Sequence, residues 1–254
     1  MTDLLQMIDL SWIQWITVII AAFLIGFSKT GIGGIMMLAI PILASVFGGK
    51  DSTGIMLPML IVGDVFAIWY YRKSVEWKNV ITPLPWALIG LLTGVIIGNY
   101  INDKTFIILI GIIVLCCVGI LFYTEKKEQD FVVPNDAWFY ITVGILSGFA
   151  SMIGNAAGPI FSIYLLALGF KKNNFMGTNA WFFFIINFTK IPLQVFVWHN
   201  IGLQSFALTA LMIPVISIGA VLGFLVLKKI NEKYFRYLVI VMTTITAFKL
   251  LLSV

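Results

Sequence analysis

Between Asp136 and Lys171 the chain runs 34 residues without one charged side chain. Residues 79–102 and 105–124 are also free of charge. Residues 10–28 and 30–49 are separated only by Lys29, 52–71 is broken only by Asp64, 173–227 only by Lys190, and the tail after Arg236 holds only Lys249. A membrane-spanning helix needs about 20 predominantly apolar residues, so the chain reads as an all-α, polytopic membrane protein. Composition agrees, with 61% hydrophobic and 11% charged residues and a mean hydropathy of +1.04. Soluble domains carry about 25% charged residues, which excludes a soluble enzyme, and disorder needs the opposite composition. The net charge of +5 does not indicate nucleic acid, because the basic residues lie in short loops between apolar runs. Cys116 and Cys117 are adjacent in an apolar run and read as reduced packing residues. Residues 1–10 carry two aspartates and no basic region, so no cleavable signal peptide is expected.

Two apolar stretches, 12–47 and 137–169, are too long for one straight helix. Each has a glycine cluster within it: Gly31, Gly33 and Gly34 in the first, and Gly148, Gly154 and Gly158-Pro159 in the second. Such clusters predict a broken helix, two legs meeting at a tip, with legs of about 16 residues that would span about 24 Å. The halves of the chain also resemble each other. Gly26-Phe27 matches Gly148-Phe149 at an offset of 122, and Gly54 and Asp64 fall on Gly177 and Asn187 at 123. Pro85, Gly90 and Gly94 match Pro214, Gly219 and Gly223 at 129, as Ile101-Asn102-Asp103-Lys104 matches Ile230-Asn231-Glu232-Lys233. This is a tandem repeat: residues 1–127 form the first and 128–254 the second, within one membrane domain.

Loop charges choose the topology. If each broken segment crosses once, the loop lysines and arginines divide five against eight. If each is a hairpin returning to its own side, one side holds Arg72, Lys73, Lys78, Lys126, Lys127, Lys171, Lys172, Lys228, Lys229, Lys233 and Arg236, against Lys50 and Lys104 on the other. Eleven against two is a positive-inside pattern. The hairpin arrangement makes the repeats inverted, each a broken-helix hairpin plus three transmembrane helices. It puts both termini outside and the central loop near 124–136 in the cytoplasm.

Inverted repeats with discontinuous helices are typical of secondary transporters, which bind substrate near the midplane where half-helix ends point inward. After each predicted tip a new helix exposes unpaired N–H groups with partial positive charge, and small residues keep them accessible to an anion. The first tip offers Ser28, Lys29, Thr30, Gly31 and Gly33; the second offers Ser151, Asn155, Ala156 and Gly158. The competing reading is that these small residues serve only close helix packing.

Three charges at membrane depth favour a site. Lys29, Asp64 and Lys190 sum to +1, and each costs about 2.5–3.5 kcal/mol at a helix centre on insertion scales. Asn187 is the repeat equivalent of Asp64, and Lys190 follows it by one helical turn. A resting Lys–Asp pair would leave one lysine to attract an anion. A structural ion pair is the alternative, as is a lysine reaching the interface for Lys29 and, more so, Lys249. Thr178 and Asn179 are expected to open the helix carrying Lys190, with Thr178 a cap or a ligand contact. Trp181-Phe182-Phe183-Phe184 reads as packing or as an aromatic wall. His199, beside Trp198, reads as an interface residue, and Trp12, Trp15 and Trp138 as belt residues. No cofactor or metal is called for.

These motifs resemble the sulfite exporter TauE/SafE family over roughly residues 12–252. The likeness is closest to a branch with S-K-T-G at the first tip (Ser28 to Gly31), N-A-A-G-P at the second (Asn155 to Pro159), and G-T-x-A-W-F-F-F-x-x-N-x-x-K-x-P from Gly177 to Pro192. The membrane aspartate matches Asp64. The resemblance implies a transporter of sulfite and small organosulfonates, usually outward, across the bacterial inner membrane. A lysine-containing site also suits a carboxylated or doubly charged anion. The expected partners are that small anion, membrane lipid and a coupling proton bound through Asp64; nucleic acid is not expected, and an oligomer stays open. A passive anion channel is the main rival. An intramembrane enzyme would need a nucleophile–base pair or metal set, and the chain has one histidine and no second membrane carboxylate.

Overall fold

A computed structural model describes residues 10–31, 33–47, 49–100 and 137–231, with the single positions 102, 104, 105, 108, 234, 237, 238, 241 and 245. The central loop, Cys116-Cys117, Lys249, the termini and all of the span expected at 105–124 except positions 105 and 108 lie outside the described residues. Among those described, every regular element is helical. Helix α1 (Trp12–Thr30) is followed by a 3-10 segment (Gly33–Leu38) and α2 (Ala39–Phe47). Then come α3 (Gly49–Tyr71), α4 (Trp77–Ile81) and α5 (Leu84–Ile97). The second half contributes α6 (Ala137–Gly154), α7 (Gly158–Ala167), α8 (Lys172–Phe196) and α9 (Leu203–Lys229).

Five described segments, Trp12–Thr30, Lys50–Ser74, Trp77–Ile97, Ala137–Gly154 and Leu203–Lys229, are long and apolar enough to cross a membrane. Large apolar side chains face outward, among them Trp12, Trp69, Leu92, Ile96, Trp138, Phe188 and Ile218. Such a surface would aggregate in water and suits lipid. The protein is a polytopic all-α membrane protein. α8 is long as well, but its inward face carries Thr178, Asn187, Lys190 and Gln194, all buried. The most polar long helix therefore runs through the interior.

Both long apolar stretches break, and the breaks fall late. α1 has 19 residues and α2 only 9; α6 has 18 and α7 only 10. In the second half the legs are thus unequal, rather than about 16 residues each, whereas in the first the 3-10 segment and α2 together make a leg of 15 residues. In the first half the chain leaves α-geometry at Gly31 and continues as six residues of 3-10 helix. In the second, Asn155 takes φ +55°, a left-handed conformation that Asn tolerates better than most residues. Pro159 then sits in the first turn of α7, where its missing N–H costs nothing.

Each long leg packs on a helix of the other half, α1 against α9 and α6 against α5. Glycines that the sequence pattern pairs between the two halves make both contacts. A Cβ at Gly26 would overlap the Ile216 carbonyl, and one at Gly219 the Phe23 carbonyl. In the other pair, a Cβ at Gly148 would overlap the Ala87 carbonyl, and one at Gly90 the Ile145 carbonyl. These backbones meet without intervening side chains, as small-residue helix contacts in membranes do. Contacts farther apart give the direction: Gly31 meets Gly223 beyond Gly26–Ile216, and Gly94 meets Met152 beyond Gly144–Pro83, so in both pairs the partners run the same way. One apolar cluster joins α1, α2, α3 and α9, and the other joins α5, α6, α7 and α8.

Candidate functional site

α3 and α8 carry the membrane charges inward, and the two tips meet them at different levels. Lys29, in the last turn of α1, is 6% exposed and donates to Asp64 Oδ1 at 2.5 Å. Its ammonium also lies 5.2 Å from the Phe183 ring centroid, within cation–π range. Asp64, fully buried on α3, accepts at its other oxygen from Asn187 Nδ2 at 2.7 Å. The two residues matched by the repeat therefore touch each other. All of the first tip's charge is neutralised locally.

Lys190 is different. It is 0% exposed and donates to the Ser151 carbonyl at 3.0 Å, to Ser151 Oγ at 3.0 Å and to Asn155 Oδ1 at 2.5 Å. All three acceptors are neutral and belong to the second tip. Among the described residues no carboxylate forms an ion pair with it. The three-charge set thus resolves into a Lys29–Asp64 pair and one buried lysine held by dipoles.

The other residues singled out from the sequence divide between site and scaffold. Ser28 Oγ accepts from the Met36 N–H at 3.0 Å, tying the 3-10 segment back to α1. Thr30 Oγ1 donates to the Ala220 carbonyl at 2.5 Å, and the Thr30 carbonyl accepts from Tyr71 Oη at 2.9 Å. Gly31 packs on Gly223 of α9. Thr30 and Gly31 therefore close the tip against α9, while Gly33 opens the 3-10 segment. Ala156 donates its N–H to the Ala150 carbonyl at 3.1 Å. Gly158 starts α7 without crowding, a Cβ there meeting Met36 Cε at 3.8 Å in ordinary van der Waals contact.

The helix bearing Lys190 begins at Lys172, so Thr178 lies inside it. Thr178 caps a different segment: its Oγ1 accepts from the Glu76 N–H at 3.0 Å. The aromatic run divides its tasks, Phe182 stacking on Phe161 at 3.8 Å and Phe183 facing Lys29. Trp12 and Trp138 are exposed, as belt residues would be.

Sequence reasoning missed four residues around Lys190. Asn155 Nδ2 donates to the Thr53 carbonyl at 3.3 Å. Asn200 Nδ2 donates to Thr53 Oγ1 at 3.1 Å and to the Lys50 carbonyl at 2.8 Å. Gln194 lies one turn beyond Lys190 on α8, and Ser147 one turn before Ser151 on α6. Both are fully buried and, among the described residues, without hydrogen-bond partners at their side-chain polar atoms. The four-residue spacing of Gln194 from Lys190 was readable in the sequence; Thr53 and Asn200 gave no signal. Asn200 also lines a cavity of about 470 Å³ with Phe47, Asp51, Ile55 and His199, where α3 and α9 begin. Among the described residues, no group of three or more His, Cys, Asp or Glu is placed to hold a metal ion.

The chain is a multi-pass helical protein with broken helices and a buried lysine, and comparison with known proteins puts it in the class of membrane transporters. The profile of the sulfite exporter TauE/SafE family matches residues 18–250, and the chain belongs to that family. A probable membrane transporter protein of Methanocaldococcus jannaschii is 23% identical over 239 residues, covering 86% of this chain and 88% of the relative. No solved structure matches. The protein is a membrane transporter.

Proposed function

We propose that this transporter moves small sulfur-containing anions, sulfite or organosulfonates, outward across the bacterial inner membrane by alternating access. The observation that carries this reading is Lys190, wholly buried and, among the described residues, paired with no carboxylate. A cation so placed is costly. Its neutral acceptors hold it in place and leave a positive potential that an anion would complete. The anion would displace Asn155 Oδ1 or Ser151 Oγ and accept from the Lys190 ammonium. The first N–H groups of α7, unpartnered by helix geometry, lie just beyond Asn155 and would add donors.

Ser28, Lys29, Thr30, Gly31, Gly33 and Asn187, with Asp64, form the other half of the proposed machinery. They hold the first tip through an ion pair, and Asp64 is the group available to carry a coupling proton. The proposed repeats, 1–127 and 128–254, are inverted. What supports this is that the first tip meets α3 near its Tyr71 end, through Lys29–Asp64 and Thr30–Tyr71, whereas the second meets it near its Lys50 end, through Asn155–Thr53. With the basic loops cytoplasmic, the second tip would face outward and the first inward.

The test is counterflow of sulfite and sulfoacetate in proteoliposomes, wild type against Lys190→Met at matched amounts of folded protein. Flux in the wild type that is lost in the variant is the expected result. Equal flux would remove Lys190 from the site. Fluxes far above carrier rates without counterflow would replace the carrier with a passive channel.

A further inference from the structure

Buried polar atoms are nearly always hydrogen-bonded, and each exception asks for a reason. Gln194 is such an exception twice over, because among the described residues neither Oε1 nor Nε2 has a partner although the residue is 0% exposed. Its position is specific. Four residues past Lys190, it shares that lysine's helix face. Its backbone carbonyl accepts from the Asn200 backbone N–H at 3.1 Å, and Asn200 lines the 470 Å³ cavity. Asn200 Oδ1 is itself buried and without a partner among the described residues. Between the cavity and Lys190 a chain of bonds runs from Asn200 to Thr53, from Thr53 to Asn155, and from Asn155 to Lys190.

We propose that Gln194 is a substrate-binding residue on the path between Lys190 and this cavity, receiving a small oxyanion through its Nε2–H when the Asn200–Thr53–Asn155 strap parts. The cavity is the mouth of that path. This rests on the reading of Lys190 as an anion site and adds the step that connects it to one membrane face. The chemistry suits the task. A neutral amide donates to an oxyanion without holding it as a second ammonium would, so the anion binds and leaves. The strap consists of neutral hydrogen bonds and contains no ion pair, so it can open without separating charges.

Gln194→Leu separates this role from a structural one. If Gln194 only fills space, leucine removes two unpartnered polar atoms, thermal stability holds or rises, and transport stays at the wild-type rate. If it receives the anion, sulfite counterflow falls at least 10-fold while the melting temperature holds or rises. Gln194→Glu, which sets a negative charge on the path, should fall further. Lys190→Met is measured in parallel. Loss in Lys190→Met with normal flux in Gln194→Leu overturns this inference and leaves the lysine site standing. Absence of sulfite and sulfoacetate flux in the wild type overturns both.

Discussion

Replacing Asp64 by Asn tests the ion pair that holds the first tip. Asn keeps the size of the side chain and can still accept from Asn187. It cannot neutralise Lys29, which is 6% exposed and bonded to Asp64 at 2.5 Å. Removing one partner of a buried pair costs about 3–5 kcal/mol, because the other charge is left uncompensated. For a chain of this size 1 kcal/mol corresponds to roughly 2–4 °C in melting temperature, so the expected drop is about 6–20 °C. The assay is tryptophan-fluorescence melting in detergent. A second variant makes the reasoning strict. Asp64→Leu with Lys29→Met removes both charges, and replacing a whole buried pair by apolar residues is often neutral or stabilising. The double variant should therefore melt well above Asp64→Asn. A single variant within 2 °C of wild type on this scale, or a double variant no better than the single, would refute the account of the pair. If Asp64 also carries the coupling proton, sulfite uptake by Asp64→Asn should not respond to a pH gradient that drives the wild type; a wild type indifferent to the gradient would end the coupling proposal.

Gly26→Ala places a methyl group against the Ile216 carbonyl and should destabilise by about 1–3 kcal/mol as overpacking does, whereas Gly202→Ala, with nothing within 4 Å, should melt like wild type. Thr30→Val removes the hydroxyl bonded to the Ala220 carbonyl and should cost about 1 kcal/mol, read as a fall in melting temperature with little change in the KM for sulfite. Phe161→Ala removes the ring stacked on Phe182 and should cost about 3–5 kcal/mol, visible as a lower yield of folded protein.

The membrane helices were legible because lipid imposes a simple rule: charge must leave the crossing segments, so its absence marks them. The repeat proposed from the sequence rests largely on glycines, and the contacts show what those glycines do. Gly26, Gly90, Gly148 and Gly219 stand where two backbones touch, so an offset between glycines is also an offset between helix contacts. The leg lengths of the second half were not legible. Gly31 to Gly34 and Gly154 to Gly158 mark a region where a break is tolerated, and packing on α9 and α5 decides where within it the helix ends. The charge partners were half legible. That one lysine would neutralise Asp64 follows from the cost of buried charge. That Lys29 takes this role, while Lys190 turns to the second tip, depends on which face of α8 meets which tip, and no local pattern encodes that. Thr53 and Asn200 were invisible for the same reason: their bonds join residues 102 and 147 positions apart.

The two tips are held differently, which yields a last prediction. Lys29–Asp64 closes the first with opposite charges, whereas neutral oxygens hold Lys190 at the second. Asn155→Asp would give the second tip a pair like the first. Asn155 Oδ1 already accepts from Lys190 at 2.5 Å, and Asp tolerates the left-handed backbone at φ +55°, so the carboxylate arrives in place. The bond from Asn155 Nδ2 to the Thr53 carbonyl is lost, which offsets part of the gain from the charge-assisted bond. The fold should therefore survive. Transport should not: the variant cancels the positive charge that an entering anion needs and sets a carboxylate where the anion's oxygens would bind. Sulfite counterflow in Asn155→Asp should fall at least 10-fold, about 1.4 kcal/mol per decade, while Asn155→Gly, which spares the backbone and leaves Lys190 charged, should retain more of it. A fully active Asn155→Asp would mean that the anion never meets Lys190, and the site would have to be sought away from the second tip.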